Sequence, residues 1–128
     1  MKKRILPNMP KQSLGEVCDK ISILALKVFY GEEDAIPELN YLTKGLDMIK
    51  WHPDMLVAAL RLAEMNTMIW NLENEMRKGG EDKFTIEEIG RRAIQIRDLN
   101  KKRVLYKNKL NEMSGLGFRE FKIRHRSQ

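Results

Sequence analysis

Apolar residues recur along most of this chain three and four positions apart, the interval that puts side chains on one face of an α-helix. The first run, Leu14, Val17, Cys18, Ile21, Leu24, Ala25 and Val28, follows a Ser13–Glu16 capping box. It predicts a helix from Leu14 to just before Gly31. Ile23, Leu26, Phe29 and Tyr30 add a second apolar face, which predicts a central helix with neighbours on two sides. The stretch "GEEDAIP" reads as a loop, with Asp34 as N-cap and Pro37 in the first turn of a short second helix. That helix carries Leu39, Leu42, Leu46 and Ile49. After a break at "WHPD", Met55, Ala58, Leu62, Met65, Ile69, Leu72 and Met76 form an unbroken seam. They predict a third helix from about Asp54 to Lys78, stopped by Gly79–Gly80. Thr85 and Glu88 form a second capping box, opening a fourth helix that runs to about Met113 and is closed by Ser114–Gly115. Its seam starts with Ile86, Ile89, Ala93 and Ile96, then meets Asn100, Arg103 and Lys107 before Leu110 resumes it.

The pattern predicts an all-α fold: a four-helix antiparallel bundle built on a long hairpin of helices three and four, with helices one and two packed across it. No strand-like alternation of useful length, internal repeat or low-complexity segment competes with that reading. The expected organisation is a basic N-terminal arm over 1–12, the bundle over 13–113, and a basic tail over 114–128 in which Phe118, Phe121 and Ile123 show no clear period. Seams this long leave apolar surface on so small a monomer, so a homo-oligomer is expected.

Composition narrows the function classes. At 128 residues, 42% hydrophobic and 33% charged, the chain suits one soluble domain. It has no apolar run approaching the roughly 18 residues of a membrane span, so no membrane partner is expected. The start, "MKKRILPNMPKQ", is basic but lacks the apolar segment and cleavage site of a secretory leader. A single cysteine, Cys18, allows no internal disulfide and suits a reducing cytoplasm. His52 and His125 lie far apart and make no metal-ligand cluster, so neither metal nor cofactor is expected, a carboxylate-only Mg²⁺ site being left open. The net charge of +6 is uneven: +4 over 1–11, −5 over 12–100 and +7 over 101–128. Basic ends around an acidic middle attract anions to one end or let copies associate head to tail.

Candidate chemistry lies in polar rows beside the seams. Helix one carries Glu16, Asp19, Lys20 and Lys27; helix three carries Asn66, Trp70, Glu73 and Arg77; helix four places Asn100 and Arg103 at seam positions. One reading makes them solvated faces with i,i+4 pairs such as Glu16–Lys20 and Glu73–Arg77, or a structural network in which Glu73 or Asp19 neutralises Arg103. Against full exposure, a large indole in line with polar residues covers something, and a seam polar residue costs stability unless paired. In the other reading the rows meet between helices, with Arg77, Arg103 and Lys20 or Lys27 as donors, Glu16, Asp19 and Glu73 as acceptors or bases, and Trp70 as a stacking face. That inventory suits a small anionic ligand with a ring. No nucleophile–base pair, phosphate loop or zinc motif names a reaction.

Three stretches, "SLGEVCDKISILALK" (Ser13–Lys27), N-x-x-x-W-x-x-E-x-x-x-R (Asn66–Arg77) and "NKKR" (Asn100–Arg103), resemble an uncharacterised family of small all-helical proteins of bacteria and phages. Some of its members are encoded near surface-polysaccharide glycosyltransferases. The resemblance spans about residues 13 to 113. It implies that Glu16, Asp19, Lys20, Asn66, Trp70, Glu73, Arg77, Asn100 and Arg103 belong to one constellation, and it implies no reaction. Three functions are therefore carried forward. The first is an oligomer binding a phosphorylated, nucleotide-like or sugar-nucleotide molecule. The second is an enzyme acting on such a molecule with Glu73 or Asp19 as base. The third is a nucleic-acid or protein adaptor acting through Lys101, Lys102, Lys107, Lys109, Arg119, Lys122, Arg124 and Arg126, with Tyr106 or Phe121 stacking.

Overall fold

The computed structural model describes residues 12–114, with the side chains of 79–82 excepted; the basic arm and the tail lie outside the described residues. Four helices carry the chain: α1 (Leu14–Phe29), α2 (Ile36–Gly45), α3 (Pro53–Lys83) and α4 (Ile86–Ser114), with short 3-10 turns at Glu33–Ala35 and Leu46–Met48. The fold is all-α, a helical bundle on a long α3–α4 hairpin, and no strand occurs among the described residues. Among the described residues no helix is long and apolar enough to cross a membrane.

Local chemistry sets the helix ends. Ser13 Oγ accepts the Glu16 N–H at 3.1 Å, so half of the first capping box forms; the Glu16 side chain turns instead to α4. α1 closes on a Schellman motif. Gly31 takes a φ of +98°, its N–H reaches Val28 O, and Glu32 N–H reaches Lys27 O at 2.9 Å. The Thr85–Glu88 box forms completely, with Thr85 N–H donating to Glu88 at 2.9 Å and Glu88 N–H to Thr85 Oγ1 at 3.1 Å.

Three expectations are corrected. α3 does not stop at Gly79–Gly80 but continues to Lys83. Glycine lowers helix propensity by about 1 kcal/mol and ends a helix only where the backbone turns left-handed. Here the turn is fixed instead by the Thr85 box and an extended Phe84, whose ring lies 4.4 Å from the Arg92 guanidinium. Asp34 is not an N-cap: it lies inside the 3-10 turn, and α2 starts after Ala35 with no side-chain cap. Finally, α2 packs on α1 and not across the hairpin.

That last arrangement follows from the breadth of the first apolar run of α1, which buries on two sides. Val17 and Leu24 bury against Ala35 and Leu42, forming the α1–α2 layer. Leu14 and Cys18 bury against Met55, Ala58, Leu62 and Leu110, joining α1 to both arms of the hairpin. α1 is thus central, but both contacts come from its first apolar run. Of the second face expected from the sequence, Ile23 and Leu26 are only half-buried, and Phe29 and Tyr30 are 78% and 53% exposed. Burial pushes the Cys18 thiol, next to the Asp19 charge, up to about 12, which leaves it a protonated apolar filler.

α1 crosses the hairpin obliquely. Its first turn lies on α4, where the Gly15 N–H donates to Asn111 Oδ1 at 2.7 Å; its last residues lie on α3, where the Tyr30 ring stacks on Trp70. The crossing needs glycine at position 15. A Cβ there would lie 2.9 Å from the Lys107 Cα and carbonyl carbon, and closer still to its oxygen. Because that neighbour is backbone, it cannot swing aside. Gly15→Ala is therefore expected to destabilise the fold by about 3 kcal/mol, although alanine favours helix by about 1 kcal/mol. Thermal denaturation checks this: a loss of roughly 10 °C is expected, whereas an unchanged or raised midpoint would deny the close approach.

A candidate site built on a buried carboxylate

The three polar rows meet at one carboxylate. Asp19 is 3% exposed, in the middle of α1, between the two arms of the hairpin. Arg103 grips it side-on, Nε donating to Oδ1 at 2.9 Å and an NH2 hydrogen to Oδ2 at 2.6 Å. From α3, the Asn66 amide donates to the same Oδ1 at 2.8 Å and to Ser22 Oγ at 2.6 Å; Ser22 in turn donates to the Asp19 backbone carbonyl. Lys107 lies 2.8 Å from Glu16 and 3.7 Å from Asp19, and Asn100 accepts from the third guanidinium nitrogen at 3.1 Å. The spacing of Asn100, Arg103, Lys107 and Asn111 explains the polar interruption of the α4 seam. These side chains share the side of α4 that α1 covers, where the apolar residues of α3 do not reach them.

Electrostatics follow from that geometry. Burial drives the Asp19 carboxyl upward, but the hydrogen bonds from Arg103 and Asn66 and the charges of Arg103 and Lys107 outweigh it, leaving it below its ordinary value. The Arg103 guanidinium is raised by its bonds to Asp19 against the opposing effect of burial, helped by the charges of Asp19, Glu16 and Glu73. With both oxygens accepting hydrogen bonds, Asp19 is a weak base.

The predicted site residues divide accordingly. Asp19, Asn66, Arg103 and Asn100 form one hydrogen-bonded network, and Glu16 joins it through Lys107. Trp70 lies one turn beyond Asn66, stacked on Tyr30 with centroids 5.8 Å apart and an angle of 14°; its indole N–H is buried with no acceptor among the described residues. Glu73 follows on the same face, exposed but felt by Arg103. Lys27 is half-buried in the last turn of α1. Two residues stand apart: Lys20 is exposed and makes no ion pair with Glu16, and Arg77 is exposed and bonded to Asn74 at 2.8 Å instead of Glu73.

Sequence reasoning left Lys107, Ser22, Asn111 and Tyr30 out of the site, although it places Lys107 on the α4 seam and in the basic run. Lys107 and Asn111 were visible as a continuation of the Asn100–Arg103 spacing, and Ser22 as the residue three beyond Asp19; Tyr30 gave no signal beyond its apolar face. Of the basic run, Lys101, Lys102 and Lys109 are exposed on α4, and Arg119 to Arg126 lie outside the described residues. Among the described residues no three His, Cys, Asp or Glu side chains gather as metal ligands do. No family model, curated protein or solved structure matches this chain.

Asp19→Asn would leave the Arg103 charge against α1 without its counter-ion. A loss of about 3 kcal/mol in chemical denaturation is expected, the low end for a broken buried pair because the Arg103 side chain is 28% exposed. An apolar pair, Asp19→Leu with Arg103→Met, should recover part of that loss; strictly additive single-variant effects would contradict a direct pair. Because the folded carboxyl titrates below its unfolded value of about 3.9, its stabilisation is present above that pH and fades as pH falls through the folded value. Acid unfolding below about pH 4 should therefore be steeper in the native chain than in Asp19→Asn.

Proposed function

We propose that the protein is a ligand-binding helical oligomer, and that the polar face of the α1–hairpin crossing takes a small molecule with a planar ring and a phosphate group, of the nucleotide or sugar-nucleotide kind. The observation that carries this is the set of donors that the protein itself does not engage. Arg103 has five N–H groups and uses three on Asp19 and Asn100, which leaves two; the buried Trp70 N–H lies on the same face. A buried donor without an acceptor costs about 1–3 kcal/mol, which a ligand acceptor would recover. Tyr30 and Trp70 already form a stack on which a ring can extend, and Tyr30 is 53% exposed.

The charge of the face selects among such ligands. Glu16, Asp19 and Glu73 oppose Arg103 and Lys107, a formal balance of −1, so the site favours few negative charges: a phosphodiester or monophosphate over a triphosphate. Enzymatic action on the same ligand is the second reading. It rests on Glu73, the carboxylate of this face that makes no hydrogen bond or salt bridge among the described residues.

Thermal-shift and calorimetric titration against nucleoside monophosphates, triphosphates and sugar nucleotides test the proposal. A ligand at a hundred times its Kd should stabilise the protein by about 2.7 kcal/mol. Trp70→Phe, which keeps the ring but removes the N–H, should weaken binding about tenfold. Arg103 is a poor probe, because truncating it exposes Asp19. No shift with any phosphorylated ligand at millimolar concentration would defeat the binding reading. Retained binding with abolished turnover in Glu73→Gln would establish the enzymatic one.

A further inference from the structure

The core occupies one end of the molecule. α3 and α4 have 31 and 29 residues, or about 46 and 43 Å, whereas α1 has 16 residues and covers about 24 Å. Past Ile69 on α3 and before Leu110 on α4 no described residue is buried, and the seam residues Leu72, Met76, Ile89 and Ile96 are only half covered. Two helices alone make a single layer, and helical seams become stable when another layer covers them.

The side of the hairpin that lacks a layer among the described residues is identifiable. Three clefts, of about 390, 410 and 620 Å³, follow one another between α3 and α4, and no residue of α1 or α2 lines any of them. Their apolar floor includes Val57, Met68, Leu72, Ile94, Leu99 and Tyr106. Val57, Met68 and Ile94 are 54%, 46% and 50% exposed.

We infer that this face pairs with the same face of a second copy, so that two hairpins build a four-helix layer about a two-fold axis. The inference specifies the oligomer of the proposed function and does not depend on the ligand. Two observations select a second copy as occupant. The first is charge. Five carboxylates and four basic side chains line the clefts, a balance of −1 on a chain of +6, so the face lacks the positive excess that nucleic acid or an anionic surface requires. The signs are mixed within each cleft, Asp54 with Lys109, Asp98 with Lys102 and Glu75 with Arg91. The pairs that Asp98 makes with Arg97 and Glu75 with Arg92 leave Lys102 and Arg91 facing the cleft. A two-fold partner can therefore set acid against base on both sides at once. The second is size: a strip about 43 Å long and two helices, or about 20 Å, wide offers about 800 Å² per copy, the area a stable interface takes from each partner.

Sedimentation of the full chain at micromolar concentration should show a dimer. Met68→Glu with Ile94→Glu, both at sites about half exposed in the monomer, should raise the dimer dissociation constant about 100-fold while the helical signal persists. Ile86→Glu, at the 87%-exposed tip outside the clefts, should leave the dimer intact. A monomeric native chain, a folded double variant that still dimerises, or dissociation by Ile86→Glu alone would overturn the inference. Should the double variant unfold, the single variants Met68→Glu and Ile94→Glu decide. A folded single variant whose dimer dissociates at least about tenfold more readily supports the inference, and one that dimerises as tightly as the native chain refutes it.

Discussion

A carboxylate that is 3% exposed in the middle of a helix is the constraint around which this fold is arranged. Removing the Asp19 charge from water costs several kcal/mol, and the cost is offset only if cations and amides reach it from neighbouring elements. α1 cannot supply them at the required angle, so they come from both arms of the hairpin: Arg103 and Lys107 from α4, and Asn66 from α3. Each arm is thereby held in register against α1. A one-residue slip of α4 would rotate Arg103 by about 100° and strand the carboxylate, whereas an apolar seam would tolerate repacking. The apolar cluster of Leu14, Cys18, Leu62 and Leu110 supplies the bulk of the burial, and the ion pair selects which arrangement of those side chains is kept.

The helices were legible because they rest on local signals: apolar spacing, two capping boxes and the glycine at 31. The central place of α1 was expected from a second apolar face, whereas its first run alone makes both contacts. Convergence of the polar rows was legible in part, since Asn100 and Arg103 at seam positions require partners. Which partners they take was not. Asp19 rather than Glu73 meets Arg103 because α1 lies over α4 at its start and over α3 at its end, and that oblique path is set by the Gly15–Lys107 approach, a contact between residues 92 apart in sequence. The same path separates Lys20 and Arg77 from the network, though their spacing looked as good as that of their neighbours. Gly79–Gly80 misled for a different reason: glycine permits a helix to end, and only the residues that follow decide whether it does.

The oblique crossing also divides the hairpin functionally. Where α1 lies, α3 and α4 turn polar side chains toward it and the ion-pair network results. Where α1 ends, the two arms continue for several turns with seam residues half covered. Trp70 marks the boundary: its ring completes the stack on Tyr30, and beyond it no described side chain of α3 is buried. The short helices thus cover one end of one face, and among the described residues no element covers the opposite face, an apolar strip of mixed charge.

These two faces are carried by the same helices but do not compete for the same residues. On α4, Arg103 and Lys107 look toward α1, whereas Lys102 and Lys109 line the opposite clefts; on α3, Asn66 and Trp70 are separated in the same way from Met68 and Leu72. Helical periodicity makes this possible, because neighbours in sequence point about 100° apart. A ligand on the polar face and a second copy on the clefts can therefore be bound together. Any coupling between them would pass through rigid-body tilt of α3 against α4, which the Asp19 clamp opposes where α1 covers the hairpin and the Glu75–Arg92 ion pair opposes beyond Trp70.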